Sequence, residues 1–452
     1  MTTTEPVLGS MPTGPVPAST NPGSDRSPWL LYVFCVVIAA MPTYVVLPGA
    51  LKGNGAPARI ISLTMFGLMI LGFLLVRRNS RGRTINPGIV IMLLYFTLWL
   101  VTYGVGLLNI DDFVVSSNRT RAVVGLVAHV GVALYTITHV RTQRQRHIVM
   151  GCLAVGLTYA CFVGLSQGVT SLDLRFLTQP PGFVINMDNL GFAERLGVRR
   201  VTGTSQHPIE FSVLAAVTVP LTVYFARNAE TRRVRVMAGI GCVIALLALP
   251  AAVSRSGIIS LIAALLVVMF AFRVRAIANA VVGAALAIGI YIVIFPRVAN
   301  ALWNTITNSA EDDSVEGRID DYARVSESFR EHPVFGLGLG GSTPSAVGYL
   351  DNEWLQAIVQ GGVIGLTCML LLSGGAIFGI AAALRGASDR REREQAFTLG
   401  AIVVGILASS ATFDLIGFEQ TTMLLFTVFG LLWSGYNIAV PGAKNQVEQH
   451  IR

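Results

Sequence analysis

The chain is built from apolar blocks of about 20 residues that are separated by shorter polar segments. A block of this length matches the hydrocarbon core of a bilayer. Its backbone polar groups have to be satisfied within the block, which favours an α-helix. The sequence therefore predicts an all-α, polytopic membrane protein with about twelve transmembrane helices, approximately at residues 28–48, 59–76, 88–107, 122–140, 147–167, 208–226, 236–253, 256–272, 276–296, 353–384, 396–414 and 420–440.

Composition excludes the main alternative classes of protein. Hydrophobic residues make up 53% of the 452 residues and charged residues only 13%, whereas soluble domains carry about 25% charged residues. The net charge of +8 does not indicate a nucleic-acid partner, because the basic residues form short clusters between the apolar blocks and not one continuous stripe. The bilayer is the expected environment, and no nucleic acid is expected.

The distribution of arginine predicts the orientation. Alternate short connections are rich in arginine, which is typical of cytoplasmic loops. Both ends of the chain then lie in the cytoplasm, as expected for a multi-pass protein of the cell membrane. Residues 1–27 are expected to form a disordered cytoplasmic tail, not a cleaved signal peptide, residues 28–440 the transmembrane domain, and residues 441–452 a second cytoplasmic tail.

Two connections on the predicted outer side, 168–207 and 297–351, are long, and long connections are usually functional or disordered. The second contains residues 314–332, where apolar side chains recur at helical spacing and predict an amphipathic helix. The glycine-rich segment 336–342 follows. It either allows close approach of the backbone to another group or forms a flexible turn, and it is not a P-loop because no Gly-Lys-Ser/Thr follows.

Polar residues lie at or just before the starts of three predicted helices. Asp351 lies at the start of the tenth predicted helix, either as a helix cap or as a functional group at membrane depth. Arg255, in the sequence VSRSG, either extends to the membrane surface or faces an internal cavity and pairs with an anion. Arg199 and Arg200 precede His207 at the sixth helix, and a solvated charge cluster is the alternative for these arginines.

Arginines near the outer membrane face suggest a phosphate ligand, since the guanidinium group binds two oxygens at once. A diphosphate at that position suggests a polyprenyl-diphosphate carrier. A neighbouring carboxylate or imidazole could act as general base on a sugar hydroxyl. The arginines would stabilise the departing diphosphate, so the hypothesis invokes neither a metal nor a cofactor.

Residues 317–366 carry a resemblance to the O-antigen ligase and polymerase superfamily of bacterial membrane glycosyltransferases. The resembling features are an arginine that opens a loop helix, a His-Pro-hydrophobic-Gly-x-Gly turn and a helix start followed by Gly-x-x-Gly-Leu; SRSG at 254–257 is similar to a family arginine element. The resemblance implies a GT-C-like helical fold and glycan transfer from a lipid diphosphate. It also implies that Arg255 and Arg318 bind the diphosphate, with Arg199 or Arg200 as a looser match.

Asp351 departs from the family pattern, because many ligases have histidine there, while the following Asn352 is retained. The aspartate could act as the base, or indicate a polymerase-type member, a different acceptor or lost activity. The resulting hypothesis is a metal-independent inverting glycosyltransferase that joins a polyprenyl-diphosphate-linked glycan to a saccharide or lipid-linked acceptor. Asp351 is the candidate catalytic residue, and the candidate substrate-binding residues are Arg255, Arg318, Arg199, Arg200, Asn352 and His207.

The alternative hypothesis is a transporter or flippase for a lipid-linked saccharide or a small solute. Such proteins have charged groups or broken helices at the membrane midplane. Ionisable residues within the predicted spans are scarce, and His129 and His139 are the clearest cases. A peptidoglycan polymerase of the shape-and-division type is a third possibility, and its motifs find no match in the sequence.

Overall fold

The structure is a computed structural model that describes residues 27–75, 84–108, 113–170, 172–187, 191–272, 289, 291–307, 313–436 and 438–439. Side chains at 84, 313–320, 345–346 and 438–439 also lie outside the described part. The two predicted cytoplasmic tails therefore fall almost entirely outside the described residues.

Helices dominate the described residues, which confirms the all-α class. They are α1 (Trp29–Ala40), α2 (Pro57–Leu75), α3 (Pro87–Gly106), α4 (Phe113–His139), α5 (Gln143–Val169), α6 (Pro208–Asn228), α7 (Arg232–Ala251), α8 (Arg255–Val268), α9 (Pro296–Thr307), α10 (Asp313–Glu331), α11 (Pro344–Val347), α12 (Glu353–Gly386), α13 (Arg390–Ser409) and α14 (Glu419–Trp433).

The described strands form three short antiparallel pairs. Val45–Val46 (β1) pairs with Val184–Ile185 (β3), Thr84–Ile85 (β2) with Ile438–Ala439 (β6), and Glu194–Arg195 (β4) with Val198–Arg199 (β5). Single 3₁₀ turns occupy Gly49–Leu51, Arg175–Thr178, Met269–Ala271 and Ser410–Thr412.

Eight of the described helices are long and apolar enough to cross a membrane: α2, α3, α4, α5, α6, α7, α12 and α13, the last extended to Thr412. Helices α1 and α8, the latter extended to Ala271, are shorter apolar helices. These helices confirm an integral, polytopic membrane protein. Most of the ninth predicted span, 276–296, lies outside the described residues.

Contacts between helix ends define two faces of the bundle. At one face Arg227, at the end of α6, bonds with Glu394 near the start of α13, and Arg146 bonds with Ser434 after α14. We call this the basic end. At the other, the loop-rich end, Gln420 at the start of α14 donates to the Met41 carbonyl after α1.

Helix α14 lies at the centre of the bundle, and all of its side chains are buried. Its apolar side chains meet the buried faces of α3 and α4, as in the aromatic contacts of Phe426 with Tyr95 and His129. Apolar side chains of α2 and α7 point outward instead and are exposed. This inside-to-outside pattern is expected for a helix bundle whose surface faces lipid.

Several helices depart from the prediction: α1 ends at Ala40 and not near residue 48, α13 begins at Arg390 and not near 396, and α14 ends at Trp433 and not near 440. Helix α4 begins at Phe113 and not near residue 122, because its first turns pack Arg119 inside the protein, where it is 3% exposed. Helix α12 contains a break at Gly362, which has φ 56° and ψ −137°. The amides of Val363 and Ile364 beyond the break donate to the carbonyls of Pro333 and Val334, so the preceding loop satisfies groups that the helix cannot.

Candidate active site

The start of α12 carries the predicted acidic residue. Asn352 is the helix cap, because its Oδ1 accepts a hydrogen bond of 2.9 Å from the amide of Trp354. The interpretation of Asp351 as the cap is therefore wrong. Asp351 lies one residue outside the helix and is exposed, which leaves its carboxylate open to a ligand.

Two more carboxyl groups lie beside Asp351. Glu353 is 2% exposed, and its Oε2 accepts a 2.8 Å bond from the amide of Ile416. The carboxyl of Asp414 adjoins that of Glu353 and accepts a 3.0 Å bond from the amide of Gly417. Burial raises the pKa of Asp414, and the charge of Asp351 raises it further. The two carboxyl groups share a side-chain hydrogen bond, and such a bond requires a proton on one of them.

Two of the predicted arginines, Arg255 and Arg200, lie at the turn between α7 and α8, which we call the arginine turn (residues 252–256). Arg255 is half-buried, and its Nε donates a 2.7 Å bond to the carbonyl of Thr305 in α9. The buried Arg200 donates from Nε to the carbonyl of Ala252, at 2.9 Å. Burial and the nearby charge of Arg195 lower the pKa of Arg200 to about 10, so it stays cationic at neutral pH.

The segment 410–417, between α13 and α14, joins the arginine turn to the carboxyl groups. The Thr412 hydroxyl donates a 2.8 Å bond to the hydroxyl of Ser256, which follows Arg255. The indole N–H of Trp354, which follows Glu353, donates a 3.2 Å bond to the hydroxyl of Ser410. Asp414 lies on the same segment, so one turn contacts both groups of charged residues.

His207 caps α6 at the same end of the bundle. Its Nδ1 accepts from the amide of Ile209, and its ring stacks on Phe418 at 5.6 Å between centroids. Burial and the charge of Arg200 lower its pKa to about 4, so the imidazole is neutral at pH 7. Since Nδ1 accepts a bond, the ring proton is assigned to Nε2, and His207 can donate a hydrogen bond but is poorly placed to act as a base.

Arg199 belongs to a cluster that sequence reasoning missed. Its guanidinium carbon lies 3.3 Å from the centre of the Phe192 ring, and that of Arg175 lies 5.0 Å from the same ring. Arg175 is buried and its Nε donates to Asp173 at 2.8 Å. The spacing of Asp173 and Arg175 in the long loop was the only signal for this ion pair.

Arg318 lies in α10, and its side chain is outside the described part of the structure. Val325 of the same helix, two turns further on, packs with Leu350 and Leu355 at the start of α12. Helix α10 therefore covers the region next to Asp351. This places the backbone of Arg318 in the same loop-rich layer as the other candidates.

The glycine-rich segment is a packing element and not a flexible turn. Gly338 and Gly340 have φ values of 84° and 76°, which favour glycine. A Cβ atom at Gly338 would lie 2.6 Å from the guanidinium of Arg119, and one at Gly340 would lie 2.6 Å from the Arg119 backbone. The segment thus closes around Arg119 and fixes the loop that leads to Asp351.

The candidate residues converge in part. Asp351, Asn352, Arg255, Arg200, Arg199 and His207 all lie at the loop-rich end. Hydrogen bonds connect the arginine turn with the segment beside Glu353 and Asp414. Sequence reasoning singled out Asp351, although Glu353 and Asp414 are the buried members of the same cluster.

Residues 240–370 match the O-antigen ligase family model. The matched segment runs from α7 through the arginine turn and α10 to the middle of α12, so it contains Arg255, Arg318 and Asp351. The resemblance to that family is confirmed over this segment. The match supports a role in cell-surface polysaccharide biosynthesis and suggests a glycosyltransferase-like enzyme. The chain has no match among curated proteins.

Proposed function

We propose that this protein is a glycosyltransferase that moves a glycan from a polyprenyl-diphosphate carrier to a saccharide or lipid-linked acceptor on the outer face of the cell membrane. The observation that carries the proposal is the segment 410–417, which bonds to the arginine turn and also adjoins the start of α12. Cationic groups for a diphosphate and carboxyl groups for an acceptor hydroxyl are thereby held in one layer.

In this proposal Arg255 and Arg318 bind the diphosphate, and their charge stabilises the leaving group as the bond to the sugar breaks. Arg200 supports the arginine turn through Ala252. Asp351 accepts the proton of the acceptor hydroxyl, because it is the exposed member of the three carboxyl groups. Attack by that hydroxyl on the face opposite the diphosphate would invert the sugar configuration. The arginines supply the charge for this step, and no metal is assigned to it.

The test uses cells that lack the native copy and express Arg255→Gln, Arg318→Gln or Asp351→Asn. We expect each arginine variant to lower glycan transfer about a hundredfold, and Asp351→Asn to lower it by a similar or larger factor. Arg233→Gln, at the exposed start of α7 on the basic end, is the matched control. Normal polysaccharide in all three site variants, at wild-type protein levels, would refute the proposal.

The transporter hypothesis receives partial support from the break in α12. Broken helices line substrate sites in transporters, but here the amides of Val363 and Ile364 are bonded to the loop at Pro333 and Val334. Proteoliposomes distinguish the two functions. Movement of a lipid-linked saccharide across the bilayer in the absence of acceptor would favour transport, and product formation only with acceptor would favour transfer.

A further inference from the structure

A cavity of about 240 Å³ lies at the loop-rich end, beside the arginine turn. Its walls come from the last turns of α5 and α7, from the β4–β5 hairpin, and from residues 291–298 at the start of α9. Most of the lining is apolar, including Leu165, Val169, Leu247, Tyr291, Phe295 and Val298. Ala251 also lines it, next to the Ala252 carbonyl that Arg200 contacts.

Two arginines, Arg199 and Arg297, provide the charge of this cavity, and the described lining contains no acidic residue. Arg297 is exposed and has no ion pair within the described part of the chain. Arg199 stacks on Phe192, and its Nε is buried without a hydrogen-bond partner among the described residues. Asp173 interacts electrostatically with Arg199, but its carboxylate is already hydrogen-bonded to Arg175. The pair therefore retains capacity for an anion.

The β4–β5 hairpin, whose turn lies at the cavity, has an unusual tip. Its two turn residues, Leu196 and Gly197, have φ values of 50° and 69°. Such turns normally contain asparagine or glycine, and a leucine in this conformation costs roughly 1–2 kcal/mol. Leu196 is also 61% exposed. An exposed apolar side chain at a strained position favours contact with an apolar environment outside the protein.

The cavity opens on an apolar surface. Val169, which lines it, is 56% exposed, and Val293, just before the start of α9, is 80% exposed. In a membrane protein such side chains at the end of a span contact lipid. An apolar opening with two cations at its rim matches a lipid that has a phosphate-containing head group.

We propose that this cavity is the groove through which the polyprenyl-diphosphate carrier enters from the outer leaflet. The isoprenoid chain lies between the ends of α5 and α7 and residues 291–298. On entry, before it reaches Arg255 and Arg318, the diphosphate lies between Arg199 and Arg297, and the side chain of Leu196 contacts the lipid of the outer leaflet beside it. The inference rests on the proposed function, to which it adds an entry site next to the arginine turn.

Photolabelling tests the groove. The full-length protein is placed in phosphatidylcholine nanodiscs with a diazirine-bearing polyprenyl diphosphate or, separately, a diazirine-bearing phosphatidylglycerol. We expect the diphosphate probe to label peptides that contain residues 165–169 and 291–298. The double variant Arg199→Gln/Arg297→Gln lowers this labelling at least tenfold, and Arg233→Gln at the basic end leaves it unchanged.

Leu196→Asn separates lipid contact from folding. Asparagine tolerates positive φ better than leucine, so the variant should melt at the same or a higher temperature than the wild type. Its labelling by the diphosphate probe should nevertheless fall severalfold. Unchanged labelling in both Leu196→Asn and the double variant would overturn the proposal.

Equal labelling by phosphatidylglycerol at the same peptides would also overturn it, because the cavity would then be a general site for anionic lipids. The proposed function fails separately. If the diphosphate probe labels the wild type specifically but the wild type transfers no glycan, the groove proposal stands and the proposed transferase function is refuted. If the double variant transfers glycan normally and Arg255→Gln does not, the groove proposal is refuted and the proposed transferase function stands.

Discussion

The adjoining carboxyl groups of Glu353 and Asp414 put a protonation equilibrium next to the candidate base. Asp414 follows the membrane-spanning helix that ends at Thr412. Burial raises the pKa of Asp414, while hydrogen bonds with Gly417 and Glu353 oppose that shift. A raised pKa means that the folded protein holds the proton more tightly than the unfolded chain. The contribution of Asp414 to stability is therefore fully present at acidic pH and is lost as the pH rises through the raised pKa.

Asp414→Asn should remove this loss, because an amide resembles the protonated acid and does not ionise. We expect the melting temperature of the wild type in detergent to fall, relative to that of Asp414→Asn, by a few degrees between acidic and mildly alkaline pH. Thermal unfolding over a pH series provides the measurement. Parallel pH dependence in the two proteins would contradict a raised pKa for Asp414 in the folded protein.

The break in α12 positions the short helical piece that begins beside Asp351. Gly362 has φ 56°, and a Cβ atom there would lie 2.4 Å from the carbonyl oxygen of Pro333. The loop turn at Pro333 and Val334 bonds to the two amides that follow the break. The glycine therefore lets the loop and the helix approach closely, and this contact holds the start of α12 against α10.

Gly362→Ala should lower stability by about 2 kcal/mol or more, since both the conformation and the contact with Pro333 exclude a side chain. It should also reduce glycan transfer, because the piece that carries Asp351 would move. Gly374→Ala is the matched control on the same helix, where a Cβ would meet nothing within 4 Å and alanine should be neutral or slightly stabilising. A melting temperature for Gly362→Ala equal to that of Gly374→Ala would contradict this account of the break.

Helix positions were largely predictable, and contacts between distant segments were not. Blocks of apolar residues locate α2, α3, α5 and α6 to within a few residues, because the hydrophobic thickness of the bilayer sets their length. The early start of α4 was missed, since apolarity alone gives no reason to extend a helix through Arg119. That residue becomes compatible with burial only when the glycine-rich segment closes around it.

The candidate site shows the same limit. Arg255 and Arg318 lie in segments that resemble family motifs, and Asp351 stands where many ligases have histidine, so all three could be named from the sequence. Asp414 was visible only as an ionisable residue near the end of a span, because nothing local indicates that its segment folds against Glu353. Arg297 gave no signal, since its relation to Arg199 depends on packing between α9 and the β4–β5 hairpin.

At the scale of the whole molecule, the alternating helices separate two kinds of surface. Arginine-rich connections meet at the basic end, where the exposed Arg390 and Arg227 bond to Glu394. The loop-rich end carries the candidate site. The positive-inside rule predicts that the basic end lies in the cytoplasm. The proposed reaction requires the loop-rich end on the outer side, where the lipid-linked glycan would meet its acceptor.

Cysteine labelling tests this orientation. Tyr349, which is 82% exposed at the loop-rich end, and Ser388, exposed at the basic end, are each replaced by cysteine. The five native cysteines are buried or half-buried, so their background labelling should be low. A membrane-impermeant maleimide added to intact cells should label Tyr349→Cys and leave Ser388→Cys unlabelled until the membrane is opened. The reverse pattern would place the carboxyl cluster and the arginine turn in the cytoplasm, and transfer at the outer face would then be impossible.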